Sequence, residues 1–161
     1  MRTVMSLAID QLQEGFLTSA QIVASHAVMG LDTQLITDRT YFVVEAGGEI
    51  AGCGGWSRRA TLYGGDHSPE LREPHMLDPI NDPARVRAMY TAPHYARRGI
   101  GRMLLRASEE AARQEGFSAA ELMATLSGEP LYIASGYRAL ERTEAVIAGV
   151  SVPLIRMNKL L

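Results

Sequence analysis

The chain has 161 residues, enough for one domain with a substantial core and too few for two ordinary domains, so we expect residues 1–161 to form a single domain. Apolar residues make up 47% and charged residues 21%, which is typical of a folded globular protein and not of a disordered one. The 16 basic and 18 acidic residues leave a net charge of −2, which excludes a general electrostatic attraction for nucleic acid or an anionic membrane.

The first sixty residues predict helices followed by a β-hairpin. Apolar residues recur at helical spacing in residues 4–12 and again in residues 22–29. Residues 41–45 are aromatic and β-branched, Gly47-Gly48 is a hairpin signal, and residues 50–56 resume as a strand. The N-terminal segment lacks the apolar core of a signal peptide, and the single Cys53 cannot form an internal disulfide, so we expect a cytoplasmic location.

The middle of the chain, residues 60–83, predicts no regular element, because glycines and prolines stand among charged residues. A loop of this length inside a compact domain is typical of a lid, a binding loop or a disordered insertion. Strands and helices then alternate to the end of the chain: strand 84–91, a helix from about 99 to 116, strand 119–124, a short helix 127–135, and strands 137–148 and 151–160. This order predicts an α/β (α+β) fold with a mixed central β-sheet flanked by helices.

Residues 84–105 hold the most informative pattern, a strand that leads through a glycine-containing loop into a helix. Pro93 prevents continuation of the strand beyond Thr91, and the helix begins near Gly99. The N–H groups of a first helical turn have no intrahelical partner and lie at the positive end of the helix dipole. Gly99 and Gly101 leave these groups accessible, and three arginines add charge nearby: Arg97, Arg98 and Arg102. The segment therefore suits a pyrophosphate, although a tight turn beside solvated arginines explains the same residues.

Two other phosphate-binding motifs fit this segment poorly. Leu104 stands where the third glycine of a dinucleotide-binding G-x-G-x-x-G motif belongs. The Gly-Lys-Ser/Thr ending of a P-loop is also absent.

The six residues 96–101, Ala-Arg-Arg-Gly-Ile-Gly, resemble the acyl-CoA motif of the GNAT superfamily of N-acyltransferases, Arg/Gln-x-x-Gly-x-Gly/Ala, with Ala96 departing at the first position. Residues 131–137, LYIASGY, resemble the second signature of that family, a short aromatic-rich helix that ends in Gly-Phe or Gly-Tyr. The resemblance extends over the element order from Tyr41 to Leu161. It implies a GNAT-like fold, acetyl-CoA as the cosubstrate without a metal, and a small-molecule or peptidyl amine as the acceptor.

The resemblance also implies where acetyl-CoA is held. The strand from Arg87 should splay away from strand 119–124, with a bulge, so that the pantetheine arm pairs with the backbone of Met89 and Thr91. An N–H group near Met89 would polarise the thioester carbonyl. The cofactor-binding residues implied in this way are Met89, Tyr90, Thr91, Arg97, Arg98, Gly99, Ile100, Gly101 and Arg102.

Tyr132 lies where many family members have a tyrosine that protonates the leaving thiolate. A phenol pKa of about 10 lies slightly above that of a thiol, about 8.5, so proton donation would be close to balanced. The alternative is a tyrosine that packs against the sheet. No general base is identified: Glu121, Glu129, Asp66, His67 and a chain of water molecules all stay open.

Arg85 occupies the position at which some family members have a glutamate base, and an arginine cannot accept a proton. By strand alternation Arg85, Arg87 and Met89 are expected on one face. The two arginines either pair with acidic loop residues such as Asp78 or Asp82, or bind an anionic group of the acceptor. The histidine and acidic residues between 67 and 78 lack the spacing of a zinc site.

One departure from the family concerns the N-terminus, where GNAT chains usually have a strand before the first helix. Either residues 3–7 form a vestigial strand or the first strand is missing. The sheet edge would then face solvent or pair with a second copy in a homodimer. A non-catalytic acyl-CoA-binding or regulatory module, and a nucleotide-phosphate binder, are the alternative functions.

Overall fold

The structure is a computed structural model that describes residues 1–161. Two short 3-10 turns cover Pro69–Leu71 and Pro93–Tyr95. The five helices and six strands are α1 (Arg2–Leu12), α2 (Ser19–Ser25), α3 (Thr33–Thr37), β1 (Tyr41–Ala46), β2 (Glu49–Ser57), β3 (Ala84–Thr91), α4 (Ile100–Gln114), β4 (Ala119–Ala124), α5 (Glu129–Ala134), β5 (Arg138–Ile147) and β6 (Val150–Leu160).

The six strands form one mixed sheet in the order β1-β2-β3-β4-β6-β5. Only β3 and β4 are parallel, since α4 connects them as a crossover, and every other neighbouring pair is antiparallel. The predicted mixed sheet flanked by helices is confirmed. The helix α3 was not predicted, although Asp32 caps it by accepting a hydrogen bond from the Gln34 N–H at 3.0 Å.

The parallel pair β3 and β4 separates soon after it begins. Its pairing consists of Ala84 with Ala120 and Arg85 with Glu121, whereas β3 stays paired with β2 as far as Thr91. The sheet therefore opens into a gap beyond Arg85, at the C-terminal end of both parallel strands, as predicted.

A bulge in β3 changes which side chains share a face. The register against β2 shifts between Cys53 and Gly55, and Ala88 takes a positive φ of 52°. Met89 consequently packs toward Ile100 of α4, while Arg87 extends to Asp32 on the opposite face. The expectation that Met89 shares a face with Arg85 and Arg87 is wrong, because alternation fails across the extra residue.

The core lies mainly between α4 and the sheet. Leu105 of α4 packs with Val86 of β3 and with apolar residues of β4 and β6. Ala112 belongs to a second cluster that contains Trp56 and Phe117, whose rings meet edge to face at 5.8 Å. This packing fixes the N-terminus of α4 beside the gap in the sheet.

The N-terminal residues 2–12 are helical, so the vestigial strand considered for residues 3–7 does not form, and β1 is an edge of the sheet.

The segment 60–83 is anchored at its base. Thr61 N donates to Glu73 O at 2.9 Å, Ala60 N donates to His75 O at 3.1 Å, and Leu77 is buried against the Trp56 cluster. No helix is both long and apolar enough to span a membrane.

Candidate active site

A continuous cavity of about 830 Å³ fills the gap between β3 and β4 and continues under α1. This volume lies in the range of about 300–1,000 Å³ that is common for ligand sites. One end lies at the start of α4, and the other end lies among α1, the segment before α3 and the loop 60–83.

The first end of the cavity contains an unpaired helix terminus. Gly99, with φ 86°, precedes α4, and the first intrahelical bond is donated by Met103 N to Gly99 O at 3.0 Å. The N–H groups of Ile100, Gly101 and Arg102 therefore have no helical partner, and no side chain caps them. Together with the helix dipole they form a site suited to an anion.

The arginines near this terminus are arranged differently from one another. Arg97, with φ 63°, and Arg102 line the cavity. Arg98 does not line it, because its guanidinium lies 5.5 Å from the ring centre of Tyr95. Of the nine predicted cofactor-binding residues, Arg98 alone lies outside the cavity lining.

The open edge of β3 supplies backbone groups along the cavity. Ala92 N donates to Ala51 O of β2 at 2.9 Å. Because successive amides of a strand point to opposite edges, the amides of Thr91 and Met89 point toward the gap. Both residues line the cavity, so an extended ligand there has an unpaired strand edge beside it.

Tyr132 of α5 lies on the other wall of the gap. It lines the cavity, retains 8% exposure, and its ring meets Tyr137 edge to face at 5.8 Å. Burial raises the pKa of the Tyr132 hydroxyl well above its usual value near 10. The hydroxyl therefore keeps its proton at neutral pH and acts as a hydrogen-bond donor.

The second end of the cavity is mostly apolar. Its polar members are Gln13, Tyr63, Tyr90 and Arg87. The apolar lining comes from Ala8, Ile9, Leu12, Phe16, Val28, Met29, Leu62, Met123 and Leu154. Sequence analysis did not identify this chamber, although the apolar stripe of α1 was visible as helical periodicity.

The family follows from comparison with known sequences. Residues 2–137 match the model of the acetyltransferase (GNAT) family. The chain belongs to the GNAT family. The resemblance seen in the sequence is thereby confirmed, and GNAT proteins are acyltransferases that use acyl-CoA.

Solved GNAT structures share the fold at low sequence identity. The GCN5-related N-acetyltransferase (aminotransferase, class-II) of Rhodopseudomonas palustris aligns with a TM-score of 0.71 at 17% identity, over 99% of this chain and 87% of that one. The ribosomal-protein-alanine N-acetyltransferase of Brucella melitensis gives 0.62 at 15% identity, over 99% and 93%. The PaiA N-acetyltransferase of Thermoplasma acidophilum, solved in complex with coenzyme A, gives 0.60 at 12% identity, over 99% and 89%. A search of curated protein sequences found no significant match.

The two arginines of β3 are paired inside this GNAT protein, but not with the expected residues. Arg87 Nη1 lies 2.6 Å from Asp32 Oδ2, and Arg87 Nη2 donates to Gly64 O at 2.7 Å. Arg85 Nη1 donates to Glu121 Oε1 at 2.9 Å, and Arg85 does not line the cavity. The expectation that Asp78 and Asp82 pair with them is wrong, since these carboxylates accept hydrogen bonds within their own turn.

The candidate general bases lie elsewhere. Glu121 pairs with Arg85 and Arg156, and Asp66 accepts from Arg72 at 3.0 Å. Glu129 pairs with Arg142 and His67 is exposed. None of these four residues lines the cavity, and its lining contains no aspartate, glutamate, histidine or lysine. No group of three or more His, Cys, Asp or Glu side chains could hold a metal ion.

Proposed function

We propose that residues 1–161 act as a single cytoplasmic N-acetyltransferase domain that transfers the acetyl group of acetyl-CoA to an amine of a small-molecule or peptidyl acceptor by direct attack. The observation that carries this proposal is the continuous cavity that joins the unpaired N-terminus of α4 to the open edge of β3. The similarity in fold to a PaiA acetyltransferase in complex with coenzyme A supports the choice of donor.

The residues of the cavity fit the parts of acetyl-CoA in turn. The N–H groups of Ile100, Gly101 and Arg102 would bind the pyrophosphate, with the charges of Arg97 and Arg102 beside them. The amides of Met89 and Thr91 would pair with the pantetheine arm as an added strand does. Acetyl-CoA would supply the activated thioester, and the Met89 N–H would stabilise negative charge on its carbonyl oxygen.

Tyr132 would act on the leaving group. Tyr132 lines the same gap, and burial raises the pKa of its hydroxyl, which stays protonated at neutral pH. Full proton transfer to a thiolate whose conjugate acid has a pKa of about 8.5 is uphill from such a hydroxyl. We therefore assign Tyr132 the donation of a hydrogen bond to the developing thiolate, a weaker form of the general-acid role that the resemblance implies.

Titration calorimetry with coenzyme A tests the donor site, and α4 offers a matched pair of variants. Arg102→Glu places a negative charge beside the proposed pyrophosphate site, and Arg106→Glu makes the same charge change one turn further along on the exposed surface. Losing a hydrogen bond to a charged group costs about 1.5–3 kcal/mol, so Arg102→Glu should weaken binding roughly ten- to a hundredfold. Arg106→Glu should bind almost as the wild type does.

Two outcomes would contradict the proposed site. One is the absence of any heat of binding between the wild type and coenzyme A below millimolar concentration, and the other is an equal loss of affinity in both variants. If ATP raises the melting temperature more than coenzyme A does, a nucleotide-phosphate binder replaces the proposal.

A second function, a non-catalytic acyl-CoA-binding or regulatory module, is favoured by one observation. The cavity contains no side chain that can remove a proton from an amine at neutral pH. Incubation with acetyl-CoA, a panel of amines and a thiol reagent separates the two functions. Acceptor-dependent release of thiol supports the enzyme, and tight coenzyme A binding without turnover supports the module.

Pairing of the β1 edge in a homodimer stays a prediction, which a mass measurement in solution decides.

A further inference from the structure

The lining of the chamber at the second end of the cavity contains no negatively charged side chain. Every charged side chain that lines the cavity is a cation: Arg87, Arg97 or Arg102. Asp32 balances Arg87, but its carboxylate is fully buried behind the guanidinium and does not line the cavity. A positively charged acceptor would therefore find no carboxylate in the lining, and the one cation of this chamber, Arg87, already has Asp32 as its partner.

The cost of binding an ordinary alkylammonium in such a chamber is large. A buried charge without a partner is strongly unfavourable, and it is avoided in practice by losing the proton. An amine of pKa about 10 is neutral in roughly one molecule per thousand at pH 7, which corresponds to about 4 kcal/mol. A weakly basic amine avoids this penalty because it is already neutral.

Gln13 gives the chamber a neutral acceptor of hydrogen bonds. Gln13 lines the cavity and is only 4% exposed. Its amide nitrogen donates to Ile9 O at 3.4 Å and to Met29 Sδ at 3.6 Å, whereas its amide oxygen accepts no hydrogen bond from the chain. This oxygen is not among the buried polar atoms that lack a partner, so it is open to the cavity and can accept a hydrogen bond from an N–H group of a ligand.

We propose that the acceptor of this enzyme is a predominantly apolar amine, bound as its neutral free base with an N–H group donated to Gln13. This inference rests on the proposed acetyltransferase function. The walls from α1, β4, β6 and the loop 60–83 bury its apolar body, and Gln13 orients its nitrogen. The proton that the amine would otherwise carry is left in solvent before binding, so the chamber needs no carboxylate to receive it.

Calorimetry on the protein saturated with coenzyme A tests the inference with three probes of similar shape: 2-phenylethanol, 2-phenylethylamine and 3-phenylpropionate. At pH 6 the alcohol should bind at least tenfold more tightly than the amine, which is then almost entirely protonated. The affinity for the amine should rise about tenfold per pH unit up to pH 9, and that for the alcohol should stay constant. Tighter binding of the ammonium at pH 6 overturns the proposal, and so does absence of binding by all three probes. Preference for the carboxylate would instead assign Arg87 to anion recognition.

A charge-introducing variant gives an independent test. Gln13→Glu keeps the shape of the side chain and supplies the missing carboxylate, so the affinity for the ammonium at pH 6 should rise about tenfold or more. Gln11→Glu makes the same charge change on the exposed face of α1 and should leave that affinity unchanged. Equal effects of the two variants overturn the assignment of Gln13. Coenzyme A binding, measured first in each protein, reports separately on folding and on the donor site.

Discussion

The buried pair of Asp32 and Arg87 gives a sharp prediction about stability. The side chain of Asp32 has 0% exposure and that of Arg87 has 3%, and the two groups lie 2.6 Å apart. Burial lowers the pKa of the Arg87 guanidinium, and the carboxylate of Asp32 opposes that effect. Asp32→Asn keeps the size of the side chain and the capping oxygen of α3, but leaves the guanidinium uncompensated.

The expected loss of unfolding free energy is about 3–5 kcal/mol, the usual consequence of removing one partner of a buried ion pair. Urea denaturation followed by circular dichroism measures it. With a urea dependence of about 2 kcal/mol per molar, the midpoint should fall by roughly 1.5–2.5 M. Asp66→Asn is the matched control, because Asp66 and Asp32 both accept hydrogen bonds from Arg72 Nη2, at 3.0 and 3.1 Å.

Asp66 is 33% exposed, so its pair with Arg72 should contribute at most about 1 kcal/mol. A midpoint for Asp32→Asn that falls no further than that for Asp66→Asn would refute the reasoning. A double variant, Asp32→Asn with Arg87→Met, removes both partners of the ion pair. It therefore distinguishes loss of their attraction from the cost of leaving the Arg87 charge buried without a partner. It should recover much of the stability, since apolar replacement of both partners of a buried pair is often nearly neutral.

Two further predictions concern turnover. Tyr132→Phe should keep the affinity for coenzyme A and lower kcat by about a hundredfold. Unchanged kcat in this variant would assign the tyrosine to packing. Because burial raises the Tyr132 pKa above 10, wild-type activity should not fall through loss of this proton until the pH exceeds 10. Replacing residues 62–72 with a short Gly-Ser linker should keep coenzyme A binding and lower acceptor-dependent turnover, and equal turnover would make the loop a tolerated insertion. The replaced range excludes Leu77, which is buried in the core. It lies between Thr61 and Glu73, whose backbones are joined by a hydrogen bond of 2.9 Å.

The donor end of the cavity was predictable because it is built from consecutive residues. A strand that ends at Thr91, a proline and a glycine before an amphipathic helix define the loop by local chemistry alone. The orientation of Met89 was not predictable. The family resemblance implied a bulge in this strand but not its position, which is at Ala88, a non-glycine residue with positive φ that carries no turn signal in the sequence.

The acceptor end depends on contacts between distant segments. Gln13, Met29, Tyr63 and Met123 belong to four elements or loops, and no motif joins them. The partner of Arg87 could not be read from the sequence either, because Asp32 precedes an unpredicted helix of five residues. Charge pairing between distant residues requires the fold, whereas a phosphate site at a helix N-terminus requires only its own loop.

The donor loop and the proposed catalytic tyrosine are linked through Gly101. A Cβ atom at this position would lie 2.9 Å from Leu131 Cδ2, so the glycine allows α4 to approach α5 closely. Leu131 precedes Tyr132, which lines the gap, and the Leu131 side chain would have to shift to make room for a Cβ atom. Gly101→Asp is therefore expected to lower coenzyme A affinity through repulsion of phosphate, with a smaller effect on kcat through the shifted Leu131 side chain. Loss of activity in that variant cannot separate the two causes, whereas Arg102→Glu acts on the donor site without a new contact against α5.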